Sequence, residues 1–184
     1  HSKGHPFNPR NKLISYAYTT DNSGFVFRYF TDPQFPSPIR SKCLVGFNFK
    51  FDLHWTQHLL PEDVKIWDCQ LAEFVYTGQR DAFASLNECL EKYGLETKID
   101  IVKGMWEAGI GTEDVPLPVL EEYNKWDVEQ TEKLFLVQQQ LLSEEQKRLV
   151  YAMGEDLKVL AHMERAGILF DSDKAKEKLA AITT

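Results

Sequence analysis

The chain has 184 residues, with 21 Lys plus Arg against 28 Asp plus Glu, which gives a formal net charge of −7. This length suits one domain with part of a second, and a hydrophobic fraction of 43% suffices for a packed core, so general disorder is excluded. No run of about 18 uncharged apolar residues is present, which excludes a membrane-spanning helix. The acidic balance argues against a passive nucleic-acid coat, which needs a basic surface, but it is compatible with an enzyme that handles phosphates through carboxylate-held metal ions.

The cysteine and histidine residues give no sign of a structural metal site. Cys43, Cys69 and Cys89 are an odd number without a C-x-x-C pair, which argues against a disulfide framework and favours a reducing cytoplasm. His54 and His58 lie one helical turn apart but lack the glutamate of a zinc-protease motif, so a solvated helix face is expected for them.

Strands are predicted in the first half of the chain. Two apolar and aromatic runs, 13–19 and 25–30, flank a turn sequence and predict a hairpin. Residues 31–40 carry three prolines and are expected to form a loop. The continuous apolar run 43–47 predicts a strand buried on both faces, and 65–67 predicts another short strand.

Five helices are predicted in the remainder of the chain, at 50–60, 69–76, 85–93, 118–142 and 143–165. Asp68 is placed to cap the second of them, Gly94 to end the third, and Pro118 to begin the fourth. The last begins with a capping-box sequence and ends at Gly167. Residues 100–116 contain three glycines and are expected to be irregular. A hairpin followed by alternating strands and helices predicts a mixed α/β sheet.

The long predicted helix carries an acidic residue beside its apolar track. That track steps by three and four residues through Val119, Tyr123, Trp126, Leu134, Val137 and Leu141. Asp127 lies one turn after Tyr123 on the same side, where an aspartate is rarely buried without a partner. Taken alone, an exposed position at the edge of the track explains Asp127 more simply.

A second polar group lies where the predicted strand 43–47 passes into a helix. Asn48 comes at the carboxyl end of the strand, and Asp52 falls in the first helical turn. Ligand sites collect at that edge of an α/β sheet. The local alternative is Asn48 as the helix N-cap, with Asp52 stabilised by the positive end of the helix.

Together, the two groups resemble the second and third motifs of the DEDD family of proofreading 3′→5′ exonucleases, in its tyrosine branch. The matching segments, in the order of the family, are N-x-K-x-D at Asn48, Lys50 and Asp52, W-D-C-Q-L-A at 67–72, S-L-N-E-C-L-E-K-Y-G-L at 85–95, and Y-x-x-x-D at Tyr123 and Asp127. Residues 120–131 are also similar to the third-motif helix of phage-type enzymes. The resemblance covers about residues 13–142.

The C-terminal part resembles a different segment of the same polypeptides. Residues 157–171, L-K-V-L-A-H-M-E-R-A-G-I-L-F-D, are similar to the segment that opens the polymerase domain of family A DNA polymerases. The resemblance implies an N-terminally truncated exonuclease domain at 1–142 and the helical start of the polymerase domain at 143–184. Taken alone, an amphipathic helix with a glycine stop also explains this segment.

One motif of the family is missing. Its first motif, D-x-E, lies on a central strand before the hairpin, and the only D-x-E here is Asp127-Val128-Glu129, inside the third motif. The resemblance therefore implies a ribonuclease H-like mixed sheet, flanked by helices, whose first strand is absent. Two of four metal-binding carboxylates would be absent with it, so this chain is expected to be weakly active or inactive.

The resemblance implies two-metal hydrolysis of the 3′-terminal phosphodiester of single-stranded or frayed DNA, as proofreading in DNA replication. Mg²⁺ or Mn²⁺ ions about 3.5–4 Å apart would be held by oxygen ligands. Asp127 would bind the nucleophile-side metal, Tyr123 would orient the attacking water, and Asp52 would hold the second ion. The expected substrate contacts are Asn48, Lys50, Phe49 and Phe51, the two phenylalanines by stacking on a base, although core packing explains at least one of them better.

Two other functions stay open. A ribonuclease D-like RNA-trimming exonuclease shares the tyrosine form of the third motif, but it would continue into a helical nucleic-acid-binding module rather than the segment 157–171. A degenerate exonuclease fold could serve as a structural part of a polymerase, but unpaired buried carboxylates at Asp52 and Asp127 would then be costly. The expected partners are the 3′ end of single-stranded DNA and a polymerase domain in the same polypeptide, with no membrane, in the cytoplasm (that of the host, for a viral protein).

Overall fold

The computed structural model describes residues 6–8, 10–20, 24–29, 41–80, 84–97 and 101–182. Within these ranges the architecture is mixed α/β, as predicted, with two two-stranded sheets and seven α-helices. Residues 21–23 of the predicted hairpin turn and the predicted loop 31–40 lie outside the described residues. Among the described helices, none combines the length and the apolar character that a membrane span requires.

The strands form two pairs. β1 (Ser15–Thr20) and β2 (Gly24–Tyr29) are antiparallel. β3 (Cys43–Gly46) and β4 (Lys65–Asp68) are parallel, and the last residues of these two strands are register partners. Over the ranges that the structure describes, no ladder of hydrogen bonds joins one pair to the other.

The helices have these bounds: α1 Lys50–Thr56, α2 Cys69–Tyr76, α3 Leu86–Lys92, α4 Ile101–Glu107, α5 Leu117–Leu141, α6 Glu144–Ala166 and α7 Ser172–Ile182. The first is shorter than predicted, because a 3-10 turn at Gln57–Leu59 follows it before Pro61. The prediction that 100–116 is irregular is wrong for α4. Its Val102 is buried together with Val115, and this burial outweighs the low helix propensity of the glycine in α4.

Local capping agrees with the sequence. The Asp68 side chain caps α2, and Ser143 forms a capping box with Gln146 at the start of α6. Gly94 and Gly167 follow α3 and α6 with φ angles of 66° and 70°, in the left-handed region that glycine enters without steric cost.

The core lies where β4 packs against α2, α5 and α6. Trp67 on β4 is fully buried, and its ring meets the edges of Phe135 and Tyr151 at centroid distances of 5.6 and 5.3 Å. The Trp67 indole N–H donates to Gln138 Oε1 at 3.2 Å, and the Gln138 amide donates to the Cys69 carbonyl at 2.9 Å. A buried glutamine on α5 is therefore satisfied at both ends.

The buried face of α5 differs from the predicted track. Its fully buried residues are Leu120, Gln130, Leu134 and Gln138, whereas Val119, Tyr123, Trp126 and Val137 are half-buried and Leu141 is exposed. Leu134 of the predicted track is buried, and Val119, Tyr123 and Trp126 pack against the core clusters. The prediction missed Gln130 and Gln138, because a count of apolar residues overlooks glutamines in core positions.

α6 packs directly on β4. Its buried residues include Val150, Gly154, Leu157 and Ala161. Gly154 faces the Ile66 carbonyl so closely that an added Cβ would overlap it. The segment 143–184 is predicted to begin a second domain, but α6, its N-terminal part, shares the core of the first domain. The division after Leu142 stays a prediction.

Candidate functional site

A cleft of about 1240 Å³ lies between the two strand pairs. Successive residues 16–20 on β1 and 43–47 on and after β3 line it, whereas Arg28 is the one lining residue from the described parts of β2 and β4. Neighbouring side chains of a strand point to opposite faces, so a cleft that lies over one face is lined by every second residue. A cleft lined by consecutive residues instead borders the edge of the strand. The edge of β1 away from β2 and the edge of β3 away from β4 therefore face the same space.

The helix α5 forms another wall. Tyr123, Asp127, Thr131 and Phe135 all line the cleft, and their four-residue spacing places them on one side of the helix. This side packs toward β1 and β3. Tyr123 is half-buried, and its ring meets Trp106 of α4 edge-on at a centroid distance of 5.8 Å.

The helix α1 brings a second carboxylate to this cleft. Asp52 in its first turn lines the cleft together with Phe49. The predicted residues Asp52, Tyr123 and Asp127 therefore share one cleft, although they are far apart in the sequence. Three other predicted residues, Asn48, Lys50 and Phe51, are not among those that line it.

The ionisation of Asp52 is shifted. Desolvation by the surrounding protein, and then the negative charge of Asp68, raise the pKa of Asp52 to about 7. Asp52 is nevertheless an exposed residue by surface area. The concave wall surrounds its carboxyl with protein on one side, and water reaches it from the open side. Water at the open side of the cleft screens this carboxyl, and a bound cation would lower its pKa by favouring the charged form.

Lys50 and His54 point from α1 to α6 instead. Lys50 Nζ and His54 Nε2 each lie 2.8 Å from a carboxylate oxygen of Glu164. The Lys50 hydrogen bond lowers the pKa of Glu164. The His54 side chain is only 9% exposed and packs edge-on against Phe7, so the prediction of a solvated face is wrong for His54, whereas His58 is exposed.

The two phenylalanines of this segment differ. The ring of Phe49 lies so close to Gly46 that a Cβ added there would overlap it, and it packs on the core cluster that includes Leu53. Phe51 is 47% exposed on the outer side of α1. Phe49 thus combines core packing with a place in the cleft wall.

A metal site can be tested against the donors that are present. Asp52 and Asp127 are oxygen ligands of the kind that Mg²⁺ prefers, and Glu132 lines the cleft five residues further along α5. In the part of the chain that the structure describes, no three His, Cys, Asp or Glu side chains group closely enough to hold an ion. These residues alone do not fit a two-metal site.

Comparisons of the chain with protein-family models, with curated proteins and with solved structures find no match. The candidate site therefore rests on geometry. Sequence reasoning missed Thr131 and Phe135 in the cleft, although their four-residue steps from Asp127 were a signal for them. It also identified Asp68 only as a helix cap, while the structure gives this residue a second set of partners.

Proposed function

We propose that this chain belongs to a 3′→5′ proofreading exonuclease of a family A, phage-type DNA polymerase, and that its cleft receives the 3′ end of single-stranded DNA. The observation that carries the proposal is that Asp52, Tyr123 and Asp127 line one cleft. Their two spacings are those of the second and third motifs that the sequence resembles, and Asp52 of the second motif shares this concave surface with Tyr123 and Asp127 of the third.

We also propose a ribonuclease H-like sheet completed by one more strand. The edges of β1 and β3 face each other across the cleft, and an extended segment between them would join both pairs into one sheet. If that segment carried D-x-E, its carboxylates would lie beside Asp52 and Asp127. This would complete the set of four acids that a two-metal site needs.

Within this proposal each residue of the site has a separate role. Mg²⁺ or Mn²⁺, when bound to the completed set, would supply a hydroxide nucleophile and charge stabilisation. Asp52 and Asp127 provide oxygen ligands, and the Tyr123 hydroxyl orients a water by a hydrogen bond. Phe49 provides an apolar surface on which a terminal base can stack.

The test measures degradation of a 3′-labelled single-stranded oligonucleotide with and without Mn²⁺. The 184-residue chain should give a rate near background, and a version extended by an upstream D-x-E strand should be faster by orders of magnitude. The matched control carries the same extension with A-x-A in place of D-x-E, so that the sheet is completed without the two acids. Equal rates for the two extended proteins would contradict the proposal.

Within the active extended protein, Asp127→Ala should return the rate to background. Tyr123→Phe should retain more activity, because it removes a water-orienting hydroxyl, a contribution typically of about 10²–10⁴-fold, but leaves the ligands. An unchanged rate in Asp127→Ala would show that this carboxylate is not part of the catalytic site.

A further inference from the structure

One buried carboxylate caps α2 and also binds the turn that precedes α1. Asp68, the last residue of β4, is 2% exposed. Its Oδ1 accepts the backbone N–H of Gln70 at 2.8 Å and of Leu71 at 3.4 Å, at the start of α2. The same carboxylate also accepts the N–H of Asn48 through Oδ1 at 3.1 Å and the N–H of Phe49 through Oδ2 at 2.8 Å. These last two groups lie in the turn between β3 and α1.

This turn has no cap of its own. Phe49, at the N-cap position of α1, makes no side-chain hydrogen bond to the helix. Asn48 has a φ of 54°, a left-handed conformation that few residues other than glycine adopt, although asparagine tolerates it better than most. Such backbone persists where the surrounding structure holds it in place. Here the contact comes from the neighbouring strand, because Gly46 and Asp68 are register partners at the ends of β3 and β4.

Asp68 does not act as a ligand for the cleft. A carboxylate offers about four lone-pair positions, and four backbone N–H groups already use this one. Asp68 is also absent from the residues that line the cleft. Asp68 therefore acts on the cleft in two ways: its negative charge raises the pKa of Asp52, and its hydrogen bonds hold the turn before α1.

We propose that Asp68 is a positioning residue, which fixes the Asn48–Phe49 turn and thereby sets the direction in which α1 presents Asp52 and Phe49 to the cleft. The part of this inference that concerns Asp52 as a ligand rests on the proposed function. The part that concerns the turn does not depend on it.

Asp68→Asn in the 184-residue chain separates the cap of α2 from the contact with the turn before α1. Oδ1 serves three N–H groups and Oδ2 serves one, so the asparagine oxygen should stay at the Oδ1 position. Its NH₂ group then faces the Phe49 N–H, and two donors cannot bond. By NMR hydrogen exchange, the Phe49 amide should exchange about tenfold faster or more, as expected for loss of a charge-assisted hydrogen bond. The Gln70 amide should keep its protection.

Mn²⁺ provides the functional readout, through paramagnetic broadening of backbone amides beside Asp52 and beside Asp127. In Asp68→Asn, the Mn²⁺ concentration that half-broadens the amides of Phe51 and Leu53 should rise by about tenfold, the lower end of what loss of a supporting partner costs a metal site. Asp63→Asn, which removes an exposed carboxylate from the turn before β4, is the control and should leave both readouts as in the parent chain.

The outcomes distinguish the two claims. Unchanged exchange at Phe49 in Asp68→Asn, or faster exchange with an unchanged Mn²⁺ response beside Asp52, overturns the inference. If the parent chain shows no Mn²⁺ broadening, the titration is repeated in the D-x-E-extended protein, where absence of broadening contradicts the proposed function. The ratio of exchange at Phe49 and Gln70 then decides about Asp68. If Asp68→Asn does not fold, the test is hydrogen exchange in the parent chain. A Phe49 amide that exchanges there as fast as an exposed amide overturns the inference.

Discussion

The two strand pairs that border the cleft are held in different ways. On β4, Ile66, Trp67 and Asp68 are all buried, and Gly46 at the end of β3 is buried as well. No described residue of β1 or β2 is fully buried, and Tyr18 is 42% exposed. The cleft thus has one wall built into the core and one wall at its margin.

Helix packing explains the difference. α6 and α2 pack on β4 and α5 packs on β3, as a parallel pair requires, since such sheets are normally covered on both faces. The hairpin packs against α5 and joins a small cluster around Val102 and Leu120. Because apolar burial supplies the main driving force for folding, at roughly 25 cal/mol per Å², we expect the β3–β4 half to determine stability. The hairpin should contribute less to it.

The largest expected effect is truncation of Trp67. Trp67→Ala should lower the free energy of unfolding by about 3–5 kcal/mol, because it leaves a cavity and removes the hydrogen bond to Gln138. Tyr18→Ala on β1 should cost less than about 1 kcal/mol, within the range of strand propensities. Urea denaturation of both variants measures the contrast. Equal losses would mean that the hairpin is as integral to the core as β4.

A smaller effect is expected where α6 touches β4. Gly154→Ala should destabilise the protein by about 1–3 kcal/mol, the usual cost of overpacking, because the added Cβ would overlap the Ile66 carbonyl. Gly104→Ala in α4 is the matched control, since nothing lies within 4 Å of its added Cβ. It should stabilise by roughly 0.5–1 kcal/mol through helix propensity. A neutral Gly154→Ala would show that α6 is not seated on β4 as described.

The smallest predicted effect concerns pH and Asp52. Its folded-state pKa is raised to about 7, so folding favours the protonated form. The corresponding stability is complete below the unfolded-state pKa, near 3.9, and is lost as the pH rises through about 7. Asp52→Asn should therefore melt slightly higher than the parent chain at pH 8, with the difference vanishing near pH 4. Because Asp52 is exposed and screened, the gain should stay below about 1 kcal/mol. Thermal melts at both pH values test the sign, with Asp63→Asn as the charge-matched control.

Local signals in the sequence were reliable where the interaction is local. The caps at Asp68 and Ser143 and the glycine stop at Gly167 are confirmed, since each involves residues a few positions apart. The predictions were wrong where contacts between residues far apart in the chain determine the local structure or its burial. α4 forms in a glycine-containing segment because Val102 is buried, and His54 leaves solvent because Glu164, on another helix, pairs with it.

The chain's own sequence determined the mixed α/β class, the order of the strands and main helices, and the spacing that puts Tyr123 and Asp127 on one side of α5. Only the tertiary structure decided that Asp52 lies in the same cleft, that two strand edges border it, and that Lys50 turns to α6 instead. It also decided that Asp68 holds the turn before α1 as well as the start of α2. The physical reason is that spacing specifies which side chains share a face of one element. Which elements meet depends on burial and hydrogen bonds between residues far apart in the chain, and periodicity within a single element does not encode those contacts.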